Sequence, residues 1–285
     1  MSGKFGIVYH PLNNQAISLS HELAEALSRR GGDVWTSSAW ESAKLKSLMS
    51  GSELVITAGG DGTILRTAQA IMPGNIPILG VNLGRLGFLT EIDTDEINDR
   101  LDDIISKNGW FDERATLEVD LLDRDVMEHF FALNDVVISR GAIARIIELT
   151  VKIDGRFLTT YRADGVIAAT ATGSTGYSLA AGGPVLYSSS SDILLTPIAP
   201  HLSLPYSLVL SEDSFVEIDV ATNHQAVMNI DGFINRPLAD GAAIRVRKGG
   251  AKAVFLRFKE VAFPASLVNR FFCRSNNVSG GKSQD

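Results

Sequence analysis

A single cysteine, Cys273, stands in 285 residues. No internal disulfide can therefore brace the fold, and no Cys/His cluster has zinc spacing. With no partner base in evidence, Cys273 reads as a buried small hydrophobe rather than a nucleophile. Long apolar runs are missing too. None approaches the ~18–20 residues of a membrane span, so no membrane partner is expected. Basic charge is short: 26 Lys plus Arg stand against 33 Asp plus Glu, a formal net charge of −7. General nucleic-acid binding needs a basic footprint and is excluded on that ground. The opening residues MSGKFGIVYHPLNN lack a signal-peptide apolar region and cleavage site and start directly as a strand, so a cytoplasmic protein is expected. The length holds one large or two ordinary domains.

Two familiar phosphate-binding signatures are also absent. No G-x-G-x-x-G follows the N-terminal strand, so the ordinary dinucleotide fingerprint is lacking. GGKS, Gly280 to Ser283, resembles the end of a P-loop. Asn276 occupies the position of the earlier glycine, however, and neither strand nor helix flanks the run.

What is present is a change of rhythm along the chain. KFGIVYH, DVWTS, ELVITAGG and IPILGVN read as short buried strands. Between the first two, AISLSHELAEALSRRGG has helical spacing at Leu19, Leu23 and Leu27, with Gly31-Gly32 as a stop. TDEINDRLDDIISKNG reads as a further helix, capped by Thr94 or Asp93 and stopped by Gly109. Such alternation implies a parallel sheet with helices on its faces. After about Asn108 the pattern becomes strand-like throughout, with Asp-Gly and Gly-Gly turns; IDGRF, Ile153 to Phe157, is a hairpin signal. The expected organisation is an α/β domain over 1–110, a β-rich domain of two packed sheets over 111–275, and a flexible polar tail over 276–285.

The chemistry concentrates in four runs. ITAGGDGTILRTAQAI, Ile56 to Ile71, takes an apolar strand through Gly59, Gly60, Asp61, Gly62 and Thr63 into a helix. Glycines there let backbone approach a ligand and adopt positive φ. Thr63 can cap the helix, whose first amides form an anion site. Asp61 would repel a phosphate unless it holds a metal or takes a proton; the plainer alternative is a capping turn. VNLGRLGFLTEID places two more glycines and Phe88 after a strand. LNDVVISRG sets Asn134 beside Asp135 at a strand edge or bulge, where a ligand pair and an ordinary turn are even readings. RADGVIAATATGSTGYSLAAGGPV, Arg162 to Val185, is nearly free of large side chains. Its hydroxyls at Thr170, Thr172, Ser174, Thr175 and Ser178, with Tyr177, favour a site for a polar, planar ligand.

Together these runs resemble the bacterial NAD kinases, in the same order and from roughly Lys4 to Phe263, with LTPIAPH (Leu195 to His201) matching the segment that follows. GGDGT alone is shared with diacylglycerol and sphingosine kinases; TGSTGYS joined to AAGGP is more discriminating. The resemblance implies a Rossmann-like N-terminal domain and a β-rich (β-sandwich) C-terminal domain. It also implies transfer of a phosphoryl group from ATP or polyphosphate to the adenosine ribose 2′-hydroxyl of NAD, giving NADP. Asp61 then matches the general base, while Gly59, Gly60, Gly62, Thr63 and Arg66 match the phosphate and ATP loop. Phe88, Asn134, Asp135, Arg145, Arg162, Asp164, Thr172, Thr175, Gly176, Tyr177, Ser178 and Ala199 fall at NAD-binding positions. Mg²⁺ would be held mainly through phosphates, with no dedicated protein metal site, and a homotetramer or homodimer is implied. A lipid kinase of the diacylglycerol type, or a non-catalytic dinucleotide sensor, stands as the alternative. Three positions depart from the family: Ala171 replaces the usual Pro, Gly176 the usual Ala, and Phe233 the Gln common after the late Asp-Gly.

Overall fold

The computed structural model describes residues 3–84, 87–124, 126–142, 145–259 and 267. Cys273, the 276–285 tail and GGKS lie outside these residues. The chain divides into two units, the first comprising 1–71, 76–112 and 254–285 and the second 72–75 and 113–253.

The first unit is mixed α/β. It runs β1 (Lys4–Tyr9), α1 (Asn14–Arg29), β2 (Asp33–Ser38), α2 (Ser42–Met49), β3 (Leu54–Ala58), α3 (Asp61–Ile71), β4 (Ile78–Asn82), β5 (Ile92–Asp93), α4 (Leu101–Ser106) and β6 (Trp110–Arg114). Strands β2, β1, β3 and β4 lie side by side in parallel register. β3 and β4 are buried along their whole length, as strands covered on both faces must be. Asn13 caps α1, its Oδ1 accepting from Gln15 N and Ala16 N at 2.9 and 3.2 Å. Leu19, Leu23 and Leu27 turn one face of α1 into the core, and Gly31 leaves the helix at φ 85°.

The helix expected from Thr94 to Gly109 is shorter. It is a 3-10 turn at Asn98–Arg100 followed by α4, ending at Lys107 with φ 53°. Neither expected cap is available to it. Asp93 sits in β5 and accepts from Asn82 Nδ2 at 2.8 Å, while Thr94 Oγ1 donates to Asp95.

The second unit is β-rich, with strands β7 (Leu117–Asp123), β8 (Val126–Ala132), β9 (Asp135–Arg140), β10 (Ile147–Ile153), β11 (Arg156–Ala163), β12 (Gly165–Ala169), β13 (Ile193–Ile198), β14 (Leu208–Leu210), β15 (Val216–Ala221), β16 (Ala226–Ile230), β17 (Ile234–Leu238) and β18 (Ala243–Lys248). One sheet has the order β11-β10-β15-β18-β7-β8 and the other β14-β13-β12-β9-β16-β17. Alternate residues of both sheets enter one core, including Val119, Leu149, Ile218 and Val246 from the first and Ile138, Val166, Leu195 and Met228 from the second. β9, β12 and β13 are buried on both faces, because Ala181 and Leu186 pack against Val137, Ile167, Ala169 and Leu194 on the far side. The IDGRF hairpin forms as read, with Asp154 and Gly155 at φ 53° and 72°.

One segment is placed differently from its sequence pattern. KAVFLRF reads as part of the β-rich run, yet β19 (Ala253–Arg257) joins the first sheet between β4 and β6, parallel to β4. A buried apolar strand carries no local mark of the sheet that will accept it.

Candidate active site

In the first unit the sheet order reverses at β1. The chain leaves β1 for β2 on one side and returns to β3 on the other. Crevices at the carboxyl ends of such strands bind ligands. A cavity of about 320 Å³ lies there, lined by His10 and Asn13 after β1, Gly59 and Gly60 after β3, and Asn82 and Leu83 at the end of β4. His10 Nδ1 accepts the Leu12 N–H at 3.3 Å, leaving Nε2 as the nitrogen that carries the proton in the neutral ring.

The GGDGT turn differs from expectation in two respects. None of Gly59, Gly60 or Gly62 has positive φ. Gly59 is required for space: a Cβ there would lie 2.3 Å from Thr63 Oγ1, whereas Gly60 and Gly62 face open space. Nor does Thr63 cap the helix. α3 already begins at Asp61, and the Gly60 carbonyl accepts from Thr63 N and Ile64 N at 2.9 and 3.3 Å. Thr63 is buried in the first turn, its Oγ1 without a hydrogen-bond partner.

Asp61 is held from outside its own turn. Its Oδ2 accepts Phe88 N at 2.8 Å and its Oδ1 accepts Leu89 N at 3.0 Å. The GFLT run is thus folded onto GGDGT, and Gly87 permits it, since a Cβ there would lie 2.2 Å from Asp61 Oδ1. Each carboxylate oxygen retains a lone pair for a proton or cation. Arg66, one turn along α3, lies 6.0 Å from the Trp40 ring. Among the described residues no group of three or more His, Cys, Asp or Glu side chains could hold a metal.

The second unit assembles a separate cluster. Asn134 ends the β8–β9 connection and Asp135 opens β9. Asp231, in the Asp-Gly turn after β16, knots the pair in place. Its carboxylate accepts from Leu133 N, Asn134 N and Asp135 N at 3.0, 2.7 and 3.2 Å, and its own N–H donates to Asp135 O. In sequence this Asp-Gly reads only as a turn; its φ of 51° at a non-glycine residue is visible only in the fold. Asp135 is 6% exposed, and burial, then the Asp231 charge, push its carboxyl up to about 7. Asn134 Oδ1 is buried without a partner, an acceptor of the kind a ligand donor satisfies.

The TGSTGYS run packs against this pair. Thr170 Oγ1 donates to Leu133 O at 2.6 Å and Thr170 N to Asn134 O at 2.9 Å. Gly173 touches the Asn134 backbone, and Gly176 faces Asn134 Nδ2 and Asp135 Oδ2. Most of the hydroxyls read as ligand groups build the turn instead. Ser174 donates to Ala171 O, Thr175 to Thr172 O, and Ser178 pairs with Thr196. Thr172 is buried beside them, while Tyr177 is 48% exposed.

The remaining candidates gather elsewhere in the same unit. Asp164 pairs with Arg140 at 2.7 Å, Arg162 with Glu148 at 3.3 Å, and Arg145 with His224 at 3.1 Å. Ala199, at φ 46°, follows β13. The Arg162 carbonyl accepts His201 N at 2.6 Å, so Arg162, Asp164 and Ala199 share one end of β12. Asp135 pairs with Ala169 at the other. Six residue steps of ~3.3 Å, about 20 Å, separate Asp164 from Thr170.

Comparison with known proteins covers both units. Residues 31–108 match the ATP-NAD kinase N-terminal domain and residues 133–258 the ATP-NAD kinase C-terminal domain. The chain is 49% identical over 261 residues to the NAD kinase of Dehalococcoides mccartyi strain BAV1, covering 91% of this chain and 92% of that one. It is 41% identical over 261 residues to that of Chloroflexus aurantiacus strain J-10-fl, covering 91% and 94%. Among solved structures, yeast NADH kinase complexed with NADH is similar at a TM-score of 0.86 and 25% identity, covering 99% of this chain and 90% of that one. An NAD kinase from Archaeoglobus fulgidus in complex with ATP is similar at 0.74 and 28%, covering 90% and 94%.

Proposed function

The chain belongs to the NAD kinase family and is an NAD kinase, and from that premise we propose how its residues divide the reaction. The lipid-kinase and sensor alternatives are set aside with it. The observation that carries the assignment is the Asp61 carboxylate, gripped by Phe88 N and Leu89 N beside a glycine-walled cavity. The donor phosphates lie against the open backbone of Gly60 and Gly62 at the start of α3, where unpaired amides favour an anion; Gly59, Thr63 and Arg66 complete that wall. The 2′-hydroxyl oxygen of NAD bonds to the terminal phosphorus as the bridging P–O bond to the leaving ADP (or shortened polyphosphate) breaks. Asp61 takes the hydroxyl proton. A carboxylate is a weak base toward an alcohol, but it suffices where positioning and charge stabilisation dominate a loose transition state.

Mg²⁺ fits the donor set, a lone carboxylate with one free lone pair per oxygen, in the way that cation is ordinarily bound through one or two carboxylates plus phosphate oxygens. It would neutralise charge developing on the phosphates, and Asp61 is the residue that would hold it. In the second unit, Asn134 and Asp135 receive the adenosine of NAD, with the orphaned Asn134 Oδ1 accepting from an amino or hydroxyl group. Thr172, Thr175, Gly176, Tyr177 and Ser178 form the wall beside it. Phe88, on the loop that grips Asp61 in the first unit, is assigned to NAD binding as well. Asp164 and Ala199 lie at the other end of β12 from that cluster, and we assign Asp164 to the nicotinamide end of NAD, with Ala199 beside it. Arg145 and Arg162 serve ligand binding across a subunit contact, in a homotetramer or at least a homodimer. A Rossmann-like first unit, a β-sandwich second unit and a cytoplasmic setting complete the reading.

The test is a purified-protein assay crossing NAD or NADH with ATP or polyphosphate. NADP should form from NAD and ATP, and Asn134→Ala should weaken NAD binding by about 1–3 kcal/mol in a protein that still folds. Calorimetry showing unchanged affinity would place the adenosine elsewhere.

A further inference from the structure

We infer that Arg257, carried on β19, is a positioning residue for the Asp61 carboxylate. The inference deepens the proposed function and rests on Asp61 acting in the transfer. It follows one chain of contacts within the first unit.

Arg257 is a buried charge, its side chain 6% exposed. It lies between Glu91 and Asp112, themselves 8% and 12% exposed, at 3.3 and 3.2 Å. A buried ion pair is weak evidence of stabilisation, because apolar residues of similar volume often serve as well. What this arginine does that an apolar residue cannot is hold carbonyls. One guanidinium nitrogen donates to Leu89 O at 2.9 Å and approaches Thr90 O at 3.4 Å and Glu91 Oε2 at 3.3 Å. Glu91 is fixed in turn: its Oε1 accepts Phe258 N and Lys259 N at 2.8 and 2.9 Å, and its own N–H donates to Gly80 O at 2.8 Å. Leu89, whose carbonyl Arg257 holds, is the residue whose N–H grips Asp61 Oδ1.

The arrangement leaves little slack. Gly87 is pressed so close to Asp61 that a single added carbon would collide with it. A slide of under an ångström would carry the 2.8 and 3.0 Å amide contacts out of good geometry. Arg257 therefore locks the loop, and the loop aims the base. Lysine keeps the charge but not the planar fork that reaches a carbonyl and two carboxylates together.

The experiment uses the full chain carrying Arg257→Lys, alone and combined with Asp61→Asn. The single variant should fold and bind NAD within a few-fold of the parent: Phe88 rides on the loosened loop, but the Asn134–Asp135 cluster shares none of these contacts. Its kcat should fall by about tenfold to a hundredfold, the cost of misplacing a reacting group by an ångström. In the Asp61→Asn background the same change should cost almost nothing further, because residues acting as one unit are non-additive. A merely structural role would lower the residual rate by the same factor in both backgrounds, and that result overturns the proposal. Normal kcat in Arg257→Lys against a slow Asp61→Asn overturns it as well, leaving the Asp61 reading intact. Normal turnover in Asp61→Asn removes both. Should Arg257→Lys fail to fold, Glu91→Gln keeps the loop's shape while loosening the clamp. It must then show the same non-additive loss of kcat, and additive loss counts against the inference.

Discussion

Asp61 and Asp135 are both aspartates, and their surroundings suit them to opposite work. Asp61 is half-buried with two amides on its oxygens, which fix where the carboxylate points. Asp61→Asn preserves the shape and one acceptor but removes the base, so kcat should fall by about two to four orders of magnitude while NAD affinity stays within a few-fold. Near-normal turnover would return Asp61 to a capping role. Asp135 is buried next to Asp231, and its carboxyl is pushed up to about 7. An acid whose folded value exceeds its unfolded value of ~3.9 holds its proton more tightly when folded. Its contribution to stability is thus complete below ~4 and is lost as pH rises toward about 7, at up to about 1.4 kcal/mol per unit. Asp135→Asn mimics the protonated acid and should remove that fall. Melting temperatures at pH 5 and pH 8 should show the parent losing ground to the variant as pH rises; parallel curves would mean that the carboxyl ionises normally. Asp61 was legible in sequence because a carboxylate among glycines is unusual. Asp231, which organises the Asn134–Asp135 turn from nearly 100 positions away, was not, since an Asp-Gly pair looks the same in any hairpin.

At the scale of elements, the turn from Thr170 to Ser178 shows how far composition can be pushed. Its density of Thr, Ser and Gly correctly marked a place where backbone comes close. It did not reveal that the close partner is the Asn134 backbone, or that four of the five hydroxyls bond within the protein. Two glycines three positions apart make the distinction testable. A Cβ on Gly173 would lie 2.1 Å from Asn134 O and 2.9 Å from its Cα, backbone that cannot swing aside. Gly173→Ala should therefore destabilise the protein by about 1–3 kcal/mol, the usual cost of overpacking, and weaken NAD binding at least tenfold. Gly176 has φ −94° and ψ −130°, the latter outside the β and α wells, so alanine there can realise only part of the about 0.4–1 kcal/mol that a compatible site gains through the unfolded state. Its Cβ would meet Gly173 O at 3.2 Å, tight enough to offset most of that gain. Gly176→Ala should melt close to the parent and bind NAD within a few-fold. If both variants behave alike in calorimetry and thermal melts, the two positions do not differ in the way the packing requires.

At the scale of the whole molecule, strand-helix alternation and the later run of strands foretold a mixed α/β part followed by a β-rich part, because hydrophobic periodicity is a local property that survives in sequence. Sheet membership is not local. The strand β19 is a continuous apolar run, Ala253 to Leu256, where β18 before it alternates Ile244-Arg245-Val246-Arg247, and it crosses back to the first unit and lies between β4 and β6. There Phe255 and Leu256 are completely buried, and Leu256 belongs to the core that α1, β3 and β4 share. The first unit is consequently discontinuous, and its last strand arrives after the whole β-rich unit. Burying two such side chains contributes roughly 3–6 kcal/mol, a large part of the ~5–15 kcal/mol that holds a typical domain, before the Arg257 contacts are counted. A chain ended at Lys252 should therefore lose hydrogen-exchange protection across β1, β3 and β4 while keeping it in β9, β12 and β16, whose pairing and core lie within 113–252. A chain ended at Lys259 keeps β19 and should retain protection in both sets of strands. Equal protection of β1, β3 and β4 in the two truncations would show that β19 is an ornament on the first sheet; selective loss in the shorter one would make it the strand on which both the sheet and the loop around Asp61 depend.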